Sequence, residues 1–70
     1  MTLDAISREL EARALLTLGA HELDAPVALL GRDGDGYLAT VGSQQSMVTA
    51  GHTDPLTAVR NALGIARGAS

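Results

Sequence analysis

The chain lacks cysteine, lysine, phenylalanine and tryptophan, and each absence excludes a class of function. Without cysteine there is neither a disulfide nor a thiolate metal ligand, which fits a reducing compartment. The chain has five arginines and eight acidic residues. Its net charge of −3 leaves no clustered basic surface for a phosphate backbone. Tyr37 alone offers a large aromatic ring on which a nucleic-acid base could stack. The composition therefore argues against nucleic acid as a partner.

Length and hydropathy set further bounds. Seventy residues predict one small domain over residues 1–70, because a chain this short buries too little apolar surface for two cores. No apolar run approaches the ~18 residues that cross a bilayer, and Asp4 and Glu9 replace the basic region of a secretory signal. Abundant Ala, Gly, Leu and Arg without Lys resemble the coding of a GC-rich bacterial or phage genome. We expect a cytoplasmic protein of a bacterial host cell, with no membrane partner.

Helical spacing occurs at both ends of the chain. In the first part, an apolar stripe predicts a helix that stops at Gly19, with Glu9 and Arg13 paired on its wet side. In the last part, Asp54 and Pro55 occupy the N-cap and first position of a second helix, which stops at Gly68. The first stripe comprises Leu3, Ile6, Leu10, Ala14 and Leu18, widened by Leu15, and the second comprises Leu56, Val59, Leu63 and Ala66.

Three short strands are predicted between the helices, over Val27–Leu30, Tyr37–Val41 and Ser46–Ala50. The Asp-Gly steps of residues 33–36 supply the positive φ angles of a tight hairpin. Residues 42–45 form a second, polar turn. The chain is thus predicted to be an α+β protein of α-β-β-β-α order, a three-stranded antiparallel meander with two helices packed on one face.

The run from Asp33 to Leu38 resembles the middle of an EF-hand calcium loop. If Gly36 is the loop glycine at position six, Asp33 and Asp35 fall on ligand positions, but the two end ligands become Gly31 and Gly42. Glycine side chains cannot bind calcium. We therefore interpret this run as a hairpin turn with no metal.

Other sites of chemistry are also incomplete. His21 and His52 lack the second histidine or cysteine that zinc spacing needs, and are interpreted as solvated loop histidines. Ser43 or Ser46 could be combined with His52 and Asp54, but no nucleophile elbow frames either serine. No glycine-rich phosphate loop occurs. The sequence thus predicts no enzyme, no metal and no cofactor.

The sheet has two faces and too few helices to cover both. If the helices cover the Leu38 side, then Tyr37, Val41 and Met47 form an adaptable apolar patch for a protein partner. A homodimer burying the same patch is the alternative. Alternation along the strands assigns Leu38, Val48 and Ala50 to one face, and Tyr37, Ala39, Val41, Met47 and Thr49 to the other.

Acidic residues provide a second candidate surface. Glu22, Asp24, Asp33 and Asp35 are expected to share an edge, where they would mimic the charge of DNA toward a basic partner surface. Their density is that of an ordinary solvated surface. Mimicry is therefore a weaker hypothesis than the apolar patch.

Three families show local resemblance. The α-β-β-β-α order and the Gly51 turn before an Ala-rich helix resemble the double-stranded RNA-binding domain. That family binds phosphates with lysines where this chain has residues 52–55, His-Thr-Asp-Pro, so the resemblance implies the fold rather than RNA binding. Residues 29–66 are similar to HicB-type antitoxins in the Gly36-Tyr37 step and in the spacing from Gly51 to Ala58. That likeness implies a protein that neutralises a toxin ribonuclease.

The third resemblance is to small anti-CRISPR proteins of phages. It covers about 25 residues, a short meander followed by a helix that opens with residues 50–55 and continues through Ala58 and Ala62. It implies a non-enzymatic inhibitor that occupies the surface of a CRISPR-Cas effector subunit, in some cases the surface that receives DNA. Size, acidity and the lack of catalytic residues agree with this reading, which we take as the leading expectation.

Overall fold

The computed structural model describes the backbone of residues 3–68 and the side chains of residues 6–68. Its elements follow in the order α1 (Leu3–Glu22), β1 (Val27–Asp33), β2 (Gly36–Gly42), β3 (Met47–His52) and α2 (Pro55–Gly68). β2 lies between β1 and β3 and is antiparallel to both, and the helices pack on the same face of the sheet. The predicted order and α+β class are confirmed. Among residues 3–68, no helix has the length and hydropathy of a membrane span.

The two turns of the meander fix its register. At the first turn Asp33 pairs with Gly36, and Gly34 has the positive φ of 59° that the Asp-Gly step predicts. At the second turn Ser43 and Ser46 exchange backbone hydrogen bonds of 2.9 and 3.2 Å. Gly42 enters this turn with a φ of 146°, and a Cβ there would collide with the Ser46 carbonyl. All three strands extend past a predicted limit. Pairing between β1 and β2 continues up to the first turn, and pairing between β2 and β3 continues as far as His52.

The core lies between the helices and the covered face of the sheet. Half of its members are alanines, so the elements approach closely and little volume separates them. Its ten buried residues are Ala12, Leu16, Ala20, Leu30, Ala39, Val41, Ala58, Val59, Ala62 and Leu63.

α1 contacts the core through the face opposite the predicted stripe. Ala12, Leu16 and Ala20 are buried, whereas the stripe residues from position 6 onward, at 6, 10, 14 and 18, are exposed. The side chain of Leu3 lies outside the described residues. Both faces carry apolar residues four positions apart, so spacing alone does not select between them. The alanine face is buried because it allows a closer approach to α2.

The prediction that α1 stops at Gly19 is wrong. Gly19 lies buried inside the helix, at the contact with α2. A Cβ at Gly19 would stand 2.6 Å from Leu63 Cδ1, so only glycine fits without a shift of Leu63. The helix ends instead at Glu22, and Asp24 just after it has a left-handed φ of 55°. The Ala25 amide donates to the Ala20 carbonyl at 2.8 Å, and the Asp24 amide donates to the His21 carbonyl at 3.2 Å. This pair of bonds is a Schellman motif.

α2 begins where predicted, with Asp54 as its N-cap. The Asp54 carboxylate accepts from the Thr57 amide at 3.1 Å and from the Thr57 hydroxyl at 2.8 Å. Arg8 of α1 donates two hydrogen bonds of 2.7 Å to the same carboxylate. These bonds hold the pKa of Asp54 well below its usual range, and the bonds from Arg8 have the largest effect. One side chain thus caps α2 and ties it to α1.

The helix end at Asp24 yields the first prediction. Replacing Asp24 by glycine removes the steric strain of a left-handed residue, so Asp24→Gly is expected to raise the free energy of unfolding by up to about 1 kcal/mol. Asp24→Val is expected to lower it, since a β-branched residue tolerates this conformation least. Urea unfolding followed by circular dichroism measures both. Equal stabilities of the two variants would contradict this account of the helix end.

The Asp54 cap yields the second prediction. Asp54→Ala is expected to lower the free energy of unfolding by about 1–2 kcal/mol, while Asp54→Asn keeps the cap and loses only the charge pairing with Arg8. Because the folded-state pKa is depressed, the stabilisation by charge is complete above the unfolded value of ~3.9 and is lost as pH falls below it. The stability advantage of the natural chain over Asp54→Asn should therefore shrink between pH 6 and pH 2.5. A constant difference would show that the charge contributes nothing.

Candidate protein-binding surface

Within residues 3–68, no element covers the face of the sheet that points away from the helices. Antiparallel register places alternate residues of the strands on it in rows across the sheet. One row joins Leu29, Thr40 and Thr49, and the rows beside it join Val27 to Met47 through Gly42, and Gly31 to Gly51 through Leu38. We call the side chains of Val27, Leu29, Leu38, Thr40, Met47 and Thr49 the open sheet face.

The open sheet face combines exposed apolar side chains with hydroxyl groups. Leu29 is 65 % exposed and Met47 is 49 % exposed, so two large apolar side chains of this face are accessible to a partner. Between them, the hydroxyl oxygens of Thr40 and Thr49 lie 3.2 Å apart in a hydrogen bond across strands. No charged residue belongs to this set. The face can therefore bury apolar surface against a partner while offering hydroxyl groups for hydrogen bonds.

The open sheet face is flat around Leu38, because the neighbouring positions are glycines. Gly31 and Gly51 flank it on the two neighbouring strands, so Leu38 has no side chain directly beside it across the sheet. A Cβ at Gly31 would meet nothing within 4 Å. The backbone of β1 is thus open to close approach by another chain at this point.

The predicted patch of Tyr37, Val41 and Met47 is wrong, because these residues do not share a face. Val41 pairs with Val48 under the helices and is fully buried. Tyr37 also lies on the covered side, and only Met47 belongs to the open sheet face. Along β2, the position opposite Met47 lies five residues from Tyr37, a separation of about 17 Å. The helices cover the side opposite to Leu38.

Tyr37 is held by contacts within the chain. Its hydroxyl donates to Glu9 Oε2 at 3.4 Å, and the other oxygen of that carboxylate accepts from Arg13 at 3.1 Å. The guanidinium of Arg32 lies over the ring, 5.7 Å from its centroid. The half-buried Tyr37 therefore links α1 to the sheet rather than facing a partner.

The four acidic residues do not share an edge. Asp33 and Asp35 are exposed together at the β1–β2 hairpin, whereas Glu22 and Asp24 lie at the start of β1, about 20 Å away along the strand. Glu22 is also paired with Arg67 at 3.4 Å. The structure therefore brings these carboxylates together only in pairs, which is not the continuous charge of a DNA backbone.

The two histidines occupy different environments. His21 is exposed in the last turn of α1, whereas His52 ends β3 and its Nδ1 accepts a hydrogen bond of 3.0 Å from the Asp54 amide. Both histidines are exposed, as solvated histidines should be, but neither lies in a loop, and His52 helps to form the start of α2. Across the described residues, no three His, Asp or Glu side chains lie close enough to hold a metal ion.

Sequence reasoning missed Val27, Leu29, Leu38 and Thr40 as members of this surface, whereas it placed Thr49 correctly beside Met47. The signal lay in the parity of the second turn: when Gly42 pairs with Met47, odd positions of β2 share a face with even positions of β3. The prediction placed the odd positions of β2 and of β3 on one face, so it combined residues from opposite faces. For β1, the tight Asp-Gly turn was enough to place Leu29 opposite Thr40.

Comparisons with protein-family models, with curated proteins and with solved structures give no significant match. The case for this surface therefore rests on its geometry and chemistry. Both favour contact with a protein, because the open sheet face combines exposed apolar side chains with neutral hydrogen-bonding groups.

The difference between the two faces yields the third prediction. Val41→Asp places an unpaired charge in the core and is expected to unfold the protein, whereas Met47→Asp is expected to change the free energy of unfolding by less than about 0.5 kcal/mol. Circular dichroism and urea unfolding distinguish the two results. A folded Val41→Asp variant would contradict the assignment of the covered face.

Proposed function

We propose that this chain is a protein-binding domain without catalytic activity, and that it acts by covering a surface of its partner with the open sheet face. The observation that carries the proposal is the exposure of Leu29 and Met47 on a sheet face that no helix covers. The six side chains of this face are uncharged, which matches the depletion of charged residues at the centre of protein interfaces.

The partner we propose is a CRISPR-Cas effector subunit, so that the chain acts as an inhibitor in a bacterial cell. Support comes from the resemblance of about 25 residues, a short meander and the helix that opens at residues 50–55, to anti-CRISPR proteins, and from the net charge of −3. Asp33 and Asp35 lie at the hairpin end of the open sheet face. An acidic rim of this kind favours approach to a basic surface, such as one that receives DNA.

The start of α2 does not favour RNA binding despite the α-β-β-β-α order. Where lysines would contact phosphates, the chain places Asp54, whose carboxylate is bound by Arg8. A carboxylate at this point repels phosphate, and its bonds to Arg8 engage the guanidinium that a phosphate would need. A protein partner is therefore the better-supported proposal.

Binding variants test this function and yield the fourth prediction. The chain is immobilised, CRISPR-bearing lysate is passed over it, and any effector recovered is purified and titrated by calorimetry. Leu29→Glu and Met47→Asp are each expected to weaken binding at least about thirtyfold, the effect of losing an interface hot spot. Ile65→Glu is the matched control, because Ile65 is 54 % exposed on α2 and lies outside the open sheet face.

The alternatives give different results in the same experiment. Recovery of a toxin ribonuclease, with the same loss on Leu29→Glu, would replace the anti-CRISPR assignment by the antitoxin one. Affinity for duplex RNA that falls steeply with salt would contradict the proposal as a whole. Binding of the effector that neither sheet variant weakens would contradict the open sheet face as the contact surface.

A further inference from the structure

The β1–β2 hairpin contains the pair Asp-Gly twice, at residues 33–34 and at residues 35–36. Aspartate before glycine rearranges readily without an enzyme, because glycine has no side chain to keep its amide nitrogen away from the aspartyl carboxyl group. The other aspartates, Asp4, Asp24 and Asp54, precede alanine or proline. Alanine hinders the reaction, and proline has no N–H to react. The hairpin is therefore where this chemistry is fastest.

The rearrangement has two steps and uses no reagent except water. In the first step the glycine amide nitrogen attacks Cγ of the aspartate, a nitrogen–carbon bond forms, and the carboxyl hydroxyl leaves with the amide proton as water. In the second step water adds to the succinimide ring. Opening at the main-chain carbonyl breaks the original peptide bond, so that the chain runs through the side chain as isoaspartate. The product has the same atoms and the same oxidation state as the starting chain.

Gly34 has an amide nitrogen that is available for the first step. It lies in the turn between the two strands, and within residues 3–68 no acceptor binds its amide. A Cβ at Gly34 would meet nothing within 4 Å, and both Asp33 and Gly34 are exposed. The succinimide ring can therefore form between these two residues without displacing another part of the chain.

Gly36, in contrast, has its amide in the hydrogen-bond ladder of the sheet. At the second turn Ser43 and Ser46 exchange both of their backbone hydrogen bonds. Bonded and non-bonded pairs alternate along antiparallel strands, so the odd residues of β2 bond to β3 and its even residues bond to β1. Gly36 is an even residue and pairs with Asp33. Its N–H is therefore held by the Asp33 carbonyl across the hairpin.

Gly36 is also packed more tightly than Gly34. It is half-buried, and a Cβ there would stand 2.8 Å from the His52 carbonyl oxygen and 3.3 Å from Thr53 Cα. Ring closure at Asp35 takes the Gly36 nitrogen away from its acceptor, so it requires a local opening of the hairpin. The two Asp-Gly pairs, identical in sequence, thus differ in structure.

We propose that Asp33 is a site of spontaneous isoaspartate formation in the folded chain, and that Asp35 is protected from the same reaction. Isoaspartate at position 33 inserts one carbon atom into the backbone between β1 and the turn, while the negative charge is kept. The pair of Asp33 with Gly36 then cannot close with both of its hydrogen bonds. The inference goes beyond the proposed function and does not depend on the partner.

Ageing of the full chain in warm, mildly acidic buffer tests the proposal and is the fifth prediction. Electron-transfer fragmentation of the intact chain locates isoaspartate, because cleavage beside the inserted carbon gives ions that aspartate does not give. In the folded chain, isoaspartate is expected to accumulate at Asp33 at least about tenfold faster than at Asp35, the ratio that an opening free energy of ~1.4 kcal/mol at Gly36 imposes. In concentrated urea, where the ladder is lost, the two rates are expected to be similar.

Glutamate variants are matched controls that keep the charge of the hairpin. Asp33→Glu is expected to remove the modification, because glutamate would have to close a six-membered ring, which forms far more slowly. Asp35→Glu is expected to leave the rate at Asp33 unchanged. Circular dichroism verifies that both variants are folded. If Asp33→Glu fails to fold, the natural chain with and without urea supplies the comparison.

Two results would overturn the proposal. Equal rates at Asp33 and Asp35 in the folded chain would show that the ladder does not protect Gly36. Isoaspartate that forms at Asp33 in urea but not in the folded chain would show that the turn protects Gly34 as well. Effector binding is measured on freshly prepared chain, so failure of this inference is distinguishable from failure of the proposed function.

Discussion

The contact between Gly19 of α1 and Leu63 of α2 is the constraint on which the rest of the structure depends. A Cβ at Gly19 would stand 2.6 Å from Leu63 Cδ1, so the two helices approach as closely as side chains allow. Only the face of α1 with Ala12, Leu16 and Ala20 permits this approach. The face with Leu10 and Leu18 then points outward, whereas Leu16 is buried beside the two alanines.

The same packing decides which side of the sheet is left open. α2 lies over β2 and β3, and α1 lies beside it against β1, so both helices are used on one face. Ala39 and Val41 are buried there, and the opposite face keeps only its own side chains as cover. The hydrogen bond between Thr40 and Thr49 gives the middle of that face a polar character, which suits it to water in the free protein.

The sequence predicted the order of the elements because the signals at their ends are local. Asp54 before Pro55 starts a helix through bonds to the next turn, and the Asp-Gly step at Gly34 closes a hairpin through its own φ angle. The buried face of α1 was not predictable in this way, since apolar residues lie four apart on both sides. Which face of α1 is buried depends on how closely α2 packs against it, and the periodicity of α1 does not determine that distance.

The composition of the open sheet face was missed for a related reason. Its membership depends on pairing across the second turn, where Gly42 takes a φ of 146° and pairs with Met47. A shift of one residue in that turn exchanges every side chain of β3 between the two faces. The strand pattern of β3 alternates too weakly to exclude the shift, since Met47, Val48 and Ala50 include both parities. Tertiary packing of Val48 and Ala50 against the core selects the register.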